Sequence, residues 1–110
     1  MAMRRLLFPA VAFASLAALL PAPLGAAAPR THVVVIDKMK FGPVPQLHVG
    51  DTIVWVNRDI LKHTATARDG SFNIDLPAGT KAQMRVTKAG AIAFYCRYHP
   101  GMRGTLAVAK

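Results

Sequence analysis

The chain has 110 residues, with 14 basic and 5 acidic side chains and a formal net charge of +9. A length of this order accommodates one small folded domain and excludes a multidomain protein. The single cysteine excludes an internal disulfide, so its thiol must be buried, coordinated or paired with another chain.

The first 27 residues predict a cleaved export signal. Arg4 and Arg5 form a positively charged start, an apolar stretch runs over residues 6–20, and small residues follow at 25–28. This order is typical of a secretory signal peptide, and we expect cleavage after Ala27. A retained membrane anchor is the alternative, although the apolar run is short for a span.

Cleavage would leave residues 28–110 as the mature domain, with 12 basic and 5 acidic residues and a net charge of +7. We expect this domain in the periplasm, as a monomer without a membrane span. An exported chain does not meet nucleic acid, so its positive charge predicts a partner with an acidic surface.

The mature part carries the pattern of short β-strands. Ala82, Met84 and Val86 alternate with polar residues, which is typical of a half-buried strand. Gly, Pro and Asp turns separate the predicted strands, and this spacing favours a single all-β domain, either a sandwich or a barrel. The predicted strands cover residues 31–36, 52–57, 81–86, 91–95 and 105–108.

Four potential metal donors stand in the second half of the chain. Cys96, His99 and Met102 share one short run, and His63 lies upstream. A thiolate with two imidazoles and a weak thioether is the ligand set of a blue-copper electron-transfer site. The spacing lets one tight loop bring three donors together, and His63 would supply the fourth from another strand.

The phase of the strand before this loop supports the assignment. Ile92, Phe94 and Cys96 are spaced two residues apart and therefore lie on the same face of the strand. Cys96 points inward if the first two enter the core. The alternatives are a packed thioether at Met102 and a structural imidazole at His63. Zinc also accepts sulfur and nitrogen ligands, but a methionine ligand would be unusual for it.

Other residues have simpler interpretations. We expect His32 to be solvated and His48 to lie on a strand surface. Met39 and Met84 are interpreted as core residues, as is Trp55.

Three segments carry a resemblance to a known family: residues 39–52, residues 55–63 with their Trp-Val-Asn-Arg-Asp run, and residues 89–102 with the short Cys-x-x-His-x-x-Met loop. The chain resembles the cupredoxins, and among them the amicyanin, pseudoazurin and plastocyanin group. The resemblance implies a Greek-key β-sandwich with one type 1 copper ion at one end.

The resemblance also implies roles for individual residues. His63, Cys96 and His99 would bind copper in a near-trigonal plane, with Met102 as a long axial ligand. Asn57 and Thr64 would hold the ligand loops in place. The chain departs from the family at three positions. Thr64 stands where many members have Asn, Tyr98 where amicyanin-like loops have Pro, and Gly101 where those loops often have a larger residue.

The function that follows is single-electron transfer rather than enzymatic catalysis. The expected partners are redox proteins such as a dehydrogenase or a c-type cytochrome, docking through an acidic surface. Lys62, Arg97 and Arg103 lie beside the ligands in sequence and should place positive charge around the copper end. The alternative function is a periplasmic copper carrier or copper-resistance protein, which would exchange the metal instead of the electron.

Overall fold

The computed structural model describes residues 2–3, 6–17 and 28–110. The predicted Arg4 and Arg5 pair and the region of the predicted cleavage site lie outside the described residues. Residues 6–17 form neither helix nor strand. In the described part of the chain, no helix has the length and apolar character needed to cross a membrane.

The described residues form nine β-strands. They are β1 Thr31–Asp37, β2 Lys40–Phe41, β3 Leu47–His48, β4 Thr52–Asn57, β5 His63–Ala67, β6 Asn73–Leu76, β7 Lys81–Arg85, β8 Gly90–Tyr95 and β9 Arg103–Ala109.

These strands build two sheets, one in the order β2-β1-β4-β7 and the other in the order β3-β9-β8-β5-β6. The pairs β1–β4 and β3–β9 are parallel, and the other pairs are antiparallel. The chain crosses from one sheet to the other five times, between β2 and β3, β3 and β4, β4 and β5, β6 and β7, and β7 and β8, which is the connectivity of a Greek-key sandwich. The prediction of an all-β Greek-key sandwich is confirmed, and the barrel alternative is wrong.

The core lies between the sheets and is centred on aromatic rings. Trp55 and Phe94 are fully buried, with ring centroids 5.2 Å apart in an edge-to-face arrangement. Phe41 packs edge-to-face on Phe94 at 4.8 Å. Gly104 faces the same ring, and a Cβ at this position would lie 2.5 Å from Phe94 Cζ. The glycine is therefore required by close packing.

Four of the nine strands, β2, β3, β5 and β6, were not predicted from the sequence. All five residues of β5 are buried, and its only alternation is between threonine and alanine, which differ too little in polarity to mark a strand clearly. The β1–β2 connection is a tight turn in which Lys38 and Met39 both have positive φ, at 51° and 62°. Met39 is 38% exposed in this turn, so the prediction that it fills the core is wrong.

The register brings several strand ends to one pole of the sandwich. Tyr95 at the end of β8 pairs with Thr66 of β5 on one side and with Arg103 of β9 on the other. His63 at the start of β5 and the loop that follows β8 therefore lie close together.

Candidate metal centre

Three of the four predicted donors converge at this pole. His63 opens β5, Cys96 directly follows β8, and His99 lies three residues farther along the β8–β9 loop. The Cys96 Sγ atom lies 3.7 Å from His63 Nδ1 and 3.8 Å from His99 Nδ1. The donor atoms of the three residues all lie within 4.8 Å of one another, which permits a single metal ion to contact all three.

Within the cluster, Cys96 and His63 are shielded from solvent, and His99 is partly exposed. Cys96 and His63 are fully buried, whereas His99 is half-buried. The prediction that Ile92, Phe94 and Cys96 point into the core is confirmed, with exposed fractions of 5%, 0% and 0%. A thiolate in this position is separated from bulk water yet adjacent to a surface loop.

Backbone hydrogen bonds close the loop that carries three of the predicted ligands. Cys96 N–H donates to Met102 C=O at 3.0 Å, and Met102 N–H donates to His99 C=O at 2.8 Å. Met102 is 6% exposed and belongs to the buried core. The structure thus places Met102 at the base of the ligand loop, and its role as an axial ligand stays a prediction.

The orientation of His63 is set by a carboxylate that the sequence analysis did not single out. Asp59 Oδ2 lies 2.7 Å from His63 Nε2. Because a carboxylate only accepts hydrogen bonds, Nε2 carries the proton and the lone pair of Nδ1 faces Cys96. This tautomer is the one a metal at the cluster requires.

Asp59 also braces the β1–β2 turn. Its carboxylate accepts hydrogen bonds from Lys38 N–H at 2.7 Å and from Met39 N–H at 3.0 Å. The amide of Met39, the imidazole of His63 and the amide of Lys38 lower the pKa of Asp59 from 3.8 against the opposing effect of desolvation. The carboxylate therefore links a turn with two left-handed residues to one imidazole of the cluster.

Asn57 and Thr64 both form hydrogen bonds that hold segments next to the cluster residues. Asn57 is 1% exposed, and its Nδ2 donates to the carbonyls of Leu61 and Leu76, at 2.9 Å in both cases. These bonds fix the loop that leads into His63. Thr64 N–H donates to Cys96 Sγ at 3.3 Å, and Thr64 Oγ1 accepts a hydrogen bond from Arg97 N–H at 2.9 Å. A threonine hydroxyl here braces the residue that follows Cys96.

The remaining histidines lie outside the cluster. His48 has a side chain that is 51% exposed, as expected of a strand-surface residue. The prediction that His32 is solvated is wrong, because its side chain is only 17% exposed and its Nε2 lies 3.0 Å from Asp51 Oδ2. Asp51 is itself buried and holds the start of β4 through the amides of Arg30 and His48.

The donor set determines which metal suits this site. One thiolate and two imidazoles with Nδ1 atoms near the sulfur, beside a buried thioether, match the soft and borderline ligands that copper uses in its electron-transfer sites. The group formed by His63, Cys96 and His99 fits a type 1 copper site.

Comparisons with known proteins agree with this geometry. The model of the cupredoxin-like domain family matches residues 6–108. The chain belongs to the cupredoxin family, which confirms the resemblance noted in the sequence. Amicyanin from Paracoccus denitrificans is 34% identical over 96 residues, covering 78% of this chain and 72% of that protein. Amicyanin from Paracoccus versutus is 35% identical over 83 residues, covering 69% of this chain and 63% of that protein.

Solved structures of amicyanin variants are similar in fold. A variant in its Cu(I) form superposes with a TM-score of 0.58 at 33% identity, covering 76% of this chain and 86% of that chain. Another Cu(I) variant gives a TM-score of 0.57 at 32% identity, covering 72% and 82%. The likeness extends over most of the sandwich that holds the cluster.

Proposed function

We propose that this protein is an exported blue-copper protein that carries single electrons between redox partners and is not an enzyme. His63, Cys96, His99 and Met102 would hold one copper ion, which would alternate between Cu(I) and Cu(II). The observation that carries the proposal is the convergence of a buried cysteine sulfur and two imidazoles, whose potential ligand atoms all lie within 4.8 Å of one another. The amicyanin relatives support the same conclusion.

The protein's own contribution is to keep the donors in place in both oxidation states. Asp59 fixes His63, the Thr64 amide fixes the sulfur of Cys96, and the loop carbonyls fix the backbone from Cys96 to Met102. Buried ligands also exclude water from the sulfur. Donors that do not rearrange allow an electron to enter and leave at low cost, because pre-organised dipoles need no reorganisation during the transfer.

A copper carrier or copper-resistance protein is the alternative function, and ligand burial weighs against it. A carrier must release its metal, and exposed methionine and histidine arrays suit that role better than a sealed site. Here His63 and Cys96 are both fully buried, and Met102 is nearly so. For the metal to leave these donors, the ligand loop would have to open.

A kinetic comparison distinguishes the two functions. The copper-loaded protein is mixed with a small redox agent in one stopped-flow experiment and with a Cu(I) chelator in another. A shuttle exchanges its electron far faster than it loses its metal, whereas a carrier gives up copper to the chelator at a comparable rate. His48→Gln, at a surface histidine outside the cluster, is the control and should leave both rates unchanged.

The partner is proposed to be a dehydrogenase or a c-type cytochrome with an acidic surface, and the electron would pass through His99. Lys62 Nζ lies 4.4 Å from the centroid of the Tyr98 ring, and Arg97 Cζ lies 5.6 Å from it. Arg97 is paired with Asp75 at 2.6 Å, whereas no carboxylate of the described residues pairs with Lys62. This ammonium is therefore available to a partner's carboxylate.

Exposed apolar groups adjoin these cations. Ile60 is 93% exposed and Leu61 is 48% exposed on the loop into His63, and Tyr98 is 45% exposed beside His99. An apolar centre with a basic rim suits a weak and fast encounter with a protein partner. We propose that the protein acts as a monomer and binds neither nucleic acid nor membrane.

Export is proposed from the N-terminal sequence. Residues 1–27 would be removed as a signal peptide, and residues 28–110 would form the mature periplasmic domain. N-terminal sequencing of the protein recovered from a periplasmic fraction should begin near residue 28. A chain that keeps its first residues in the membrane fraction would support the anchor alternative instead.

A further inference from the structure

The outer face of β5 is buried although it points away from the core. Ala65 and Ala67 face the hydrophobic interior, so Thr64 and Thr66 face outward. Thr64 is nonetheless fully buried and Thr66 is 9% exposed. Two hydroxyl groups are thus enclosed beside the metal cluster, where each must find hydrogen-bond partners.

These hydroxyls form one continuous chain of hydrogen bonds. Arg97 N–H donates to Thr64 Oγ1 at 2.9 Å. Thr64 Oγ1 lies 2.9 Å from Thr66 Oγ1, and Thr66 Oγ1 lies 2.8 Å from Asn73 Oδ1. The chain therefore runs from the ligand loop, across β5, to the first residue of β6.

The two ends determine the direction of every bond between them. The Arg97 amide only donates, and the Asn73 carbonyl oxygen only accepts. Thr66 must use its single proton on Asn73, so it accepts the proton of Thr64. Thr64 then has no proton left to direct elsewhere, and its free lone pair faces the Arg97 amide.

We propose that Thr66 and Asn73 are positioning residues for the copper ligand loop. They fix the orientation of the Thr64 hydroxyl, which in turn holds the amide that directly follows Cys96. Thr64 also donates its own amide to Cys96 Sγ, so one residue constrains both the sulfur and the chain beyond it. The importance of this chain for electron transfer rests on the proposed function, but the hydrogen-bonded relay itself does not.

Removal of one hydroxyl tests the relay. Thr66→Val has nearly the shape of the native side chain but leaves the Thr64 proton without its acceptor, and Thr66→Ser keeps the hydroxyl. Amide hydrogen exchange, followed by NMR on the metal-free full-length chain, should accelerate at Arg97 on the order of tenfold in Thr66→Val. Thr66→Ser should restore the slow exchange.

Two further variants keep the test decisive. Asn73→Ala removes the final acceptor at an exposed position and should also accelerate exchange at Arg97, even if Thr66→Val folds poorly. Thr105→Val, on the exposed outer face of β9, is the control and should leave Arg97 unchanged. Uniform acceleration of exchange across β5, β8 and β9 would show that the threonines only contribute to the overall stability of the fold, and it would overturn the proposal. Unchanged exchange at Arg97 would also overturn it.

The copper-loaded protein gives the second measurement. Thr66→Val should shift the visible absorption band or the reduction potential relative to wild type, and Thr66→Ser should return both to the wild-type values. An unshifted band and potential in Thr66→Val would contradict a role in positioning the ligands. A wild-type protein without a blue band would refute the proposed function, while the exchange data on the metal-free chain would still decide the relay.

Discussion

At the scale of single residues, the cluster depends on side chains with defined tasks. Cys96 supplies the sulfur, and Asp59 selects the tautomer of His63 through a 2.7 Å bond. The residue whose task is least constrained by the structure is Met102, since its thioether is buried in the core at the base of the loop.

Met102→Leu separates an axial ligand from a packing residue. Leucine has a similar volume, so the fold should survive. We expect the blue colour to persist and the reduction potential to rise, because loss of a weak axial donor disfavours Cu(II) more than Cu(I). Cyclic voltammetry measures the shift, with Met84→Leu, outside the ligand loop, as the control. Equal potentials in Met102→Leu and wild type would show that Met102 only packs.

Individual residues also show what could be predicted from the sequence. The convergence of Cys96 and His99 was predictable because the two residues belong to one short loop. Asp59 was not, because its importance arises from a contact to an imidazole and to two turn amides that sequence spacing does not reveal. His32 was misread for the same reason, since its partner Asp51 lies 19 positions away.

At the scale of secondary-structure elements, residue composition and alternating patterns determined which strands were predictable. β4 was predicted with its observed bounds because it is a run of β-branched and aromatic residues, and β7 was predicted within one residue because its apolar and polar residues alternate. β5 was missed because both of its faces are buried and because threonine and alanine, which alternate along it, differ little in polarity. β2 and β3 contain two residues each, too few to show any period.

Gly104 of β9 lies against the ring of Phe94 of β8, and a substitution at Gly104 tests this contact. Gly104→Ala would place a methyl group 2.5 Å from Phe94 Cζ, in a core that cannot easily move. Overpacking of this kind should lower the free energy of unfolding by about 1–3 kcal/mol. Urea unfolding followed by the fluorescence of Trp55, the single tryptophan, measures the change.

Gly101→Ala is the matched control for that substitution. Nothing lies within 4 Å of a Cβ at Gly101, and its φ is not in the left-handed region. We expect little change in stability there. If both variants unfolded at the same urea concentration as wild type, the close packing of Phe94 on Gly104 would be refuted.

At the scale of the whole molecule, a large excess of basic over acidic groups makes the few carboxylates important for stability. Asp51 is buried, and the amides of Arg30 and His48, with His32, lower its pKa from 3.8 to about 2. As the pH falls, Asp51 therefore binds a proton at a higher pH in the unfolded chain than in the folded chain. This contribution to stability is present above pH 3.8 and is lost as the pH falls through about 2.

Asp51→Asn tests this linkage. The variant should be less stable than wild type at about pH 6, and the difference in unfolding free energy should shrink at about pH 2.5 because wild-type Asp51 is then largely protonated on unfolding. Asp37→Asn, at an exposed position without an ion pair among the described residues, serves as the control. A stability difference that stays constant from neutral to acidic pH would contradict the assignment of Asp51.

The net charge of the molecule also predicts how it meets partners. Electron exchange with an acidic redox protein should slow as salt is added, and exchange with a basic one should speed up, because salt screens attraction and repulsion alike. Lys62→Gln should weaken the salt dependence with the acidic partner, whereas Lys110→Gln at the C-terminus should change it less. Rates that are independent of salt for both partners would remove the electrostatic part of the proposal.

The central claim is that a copper ion binds to the sulfur of Cys96 in the cluster with His63 and His99. The most direct test is the visible absorption spectrum of the copper-loaded mature protein, measured for wild type and for Cys96→Ser. The thiolate is the donor in the charge-transfer transition, so wild type should show an intense visible band and Cys96→Ser at most the weak absorption of ordinary Cu(II). A colourless copper-bound wild type, or an intense band that survives in Cys96→Ser, would contradict the account.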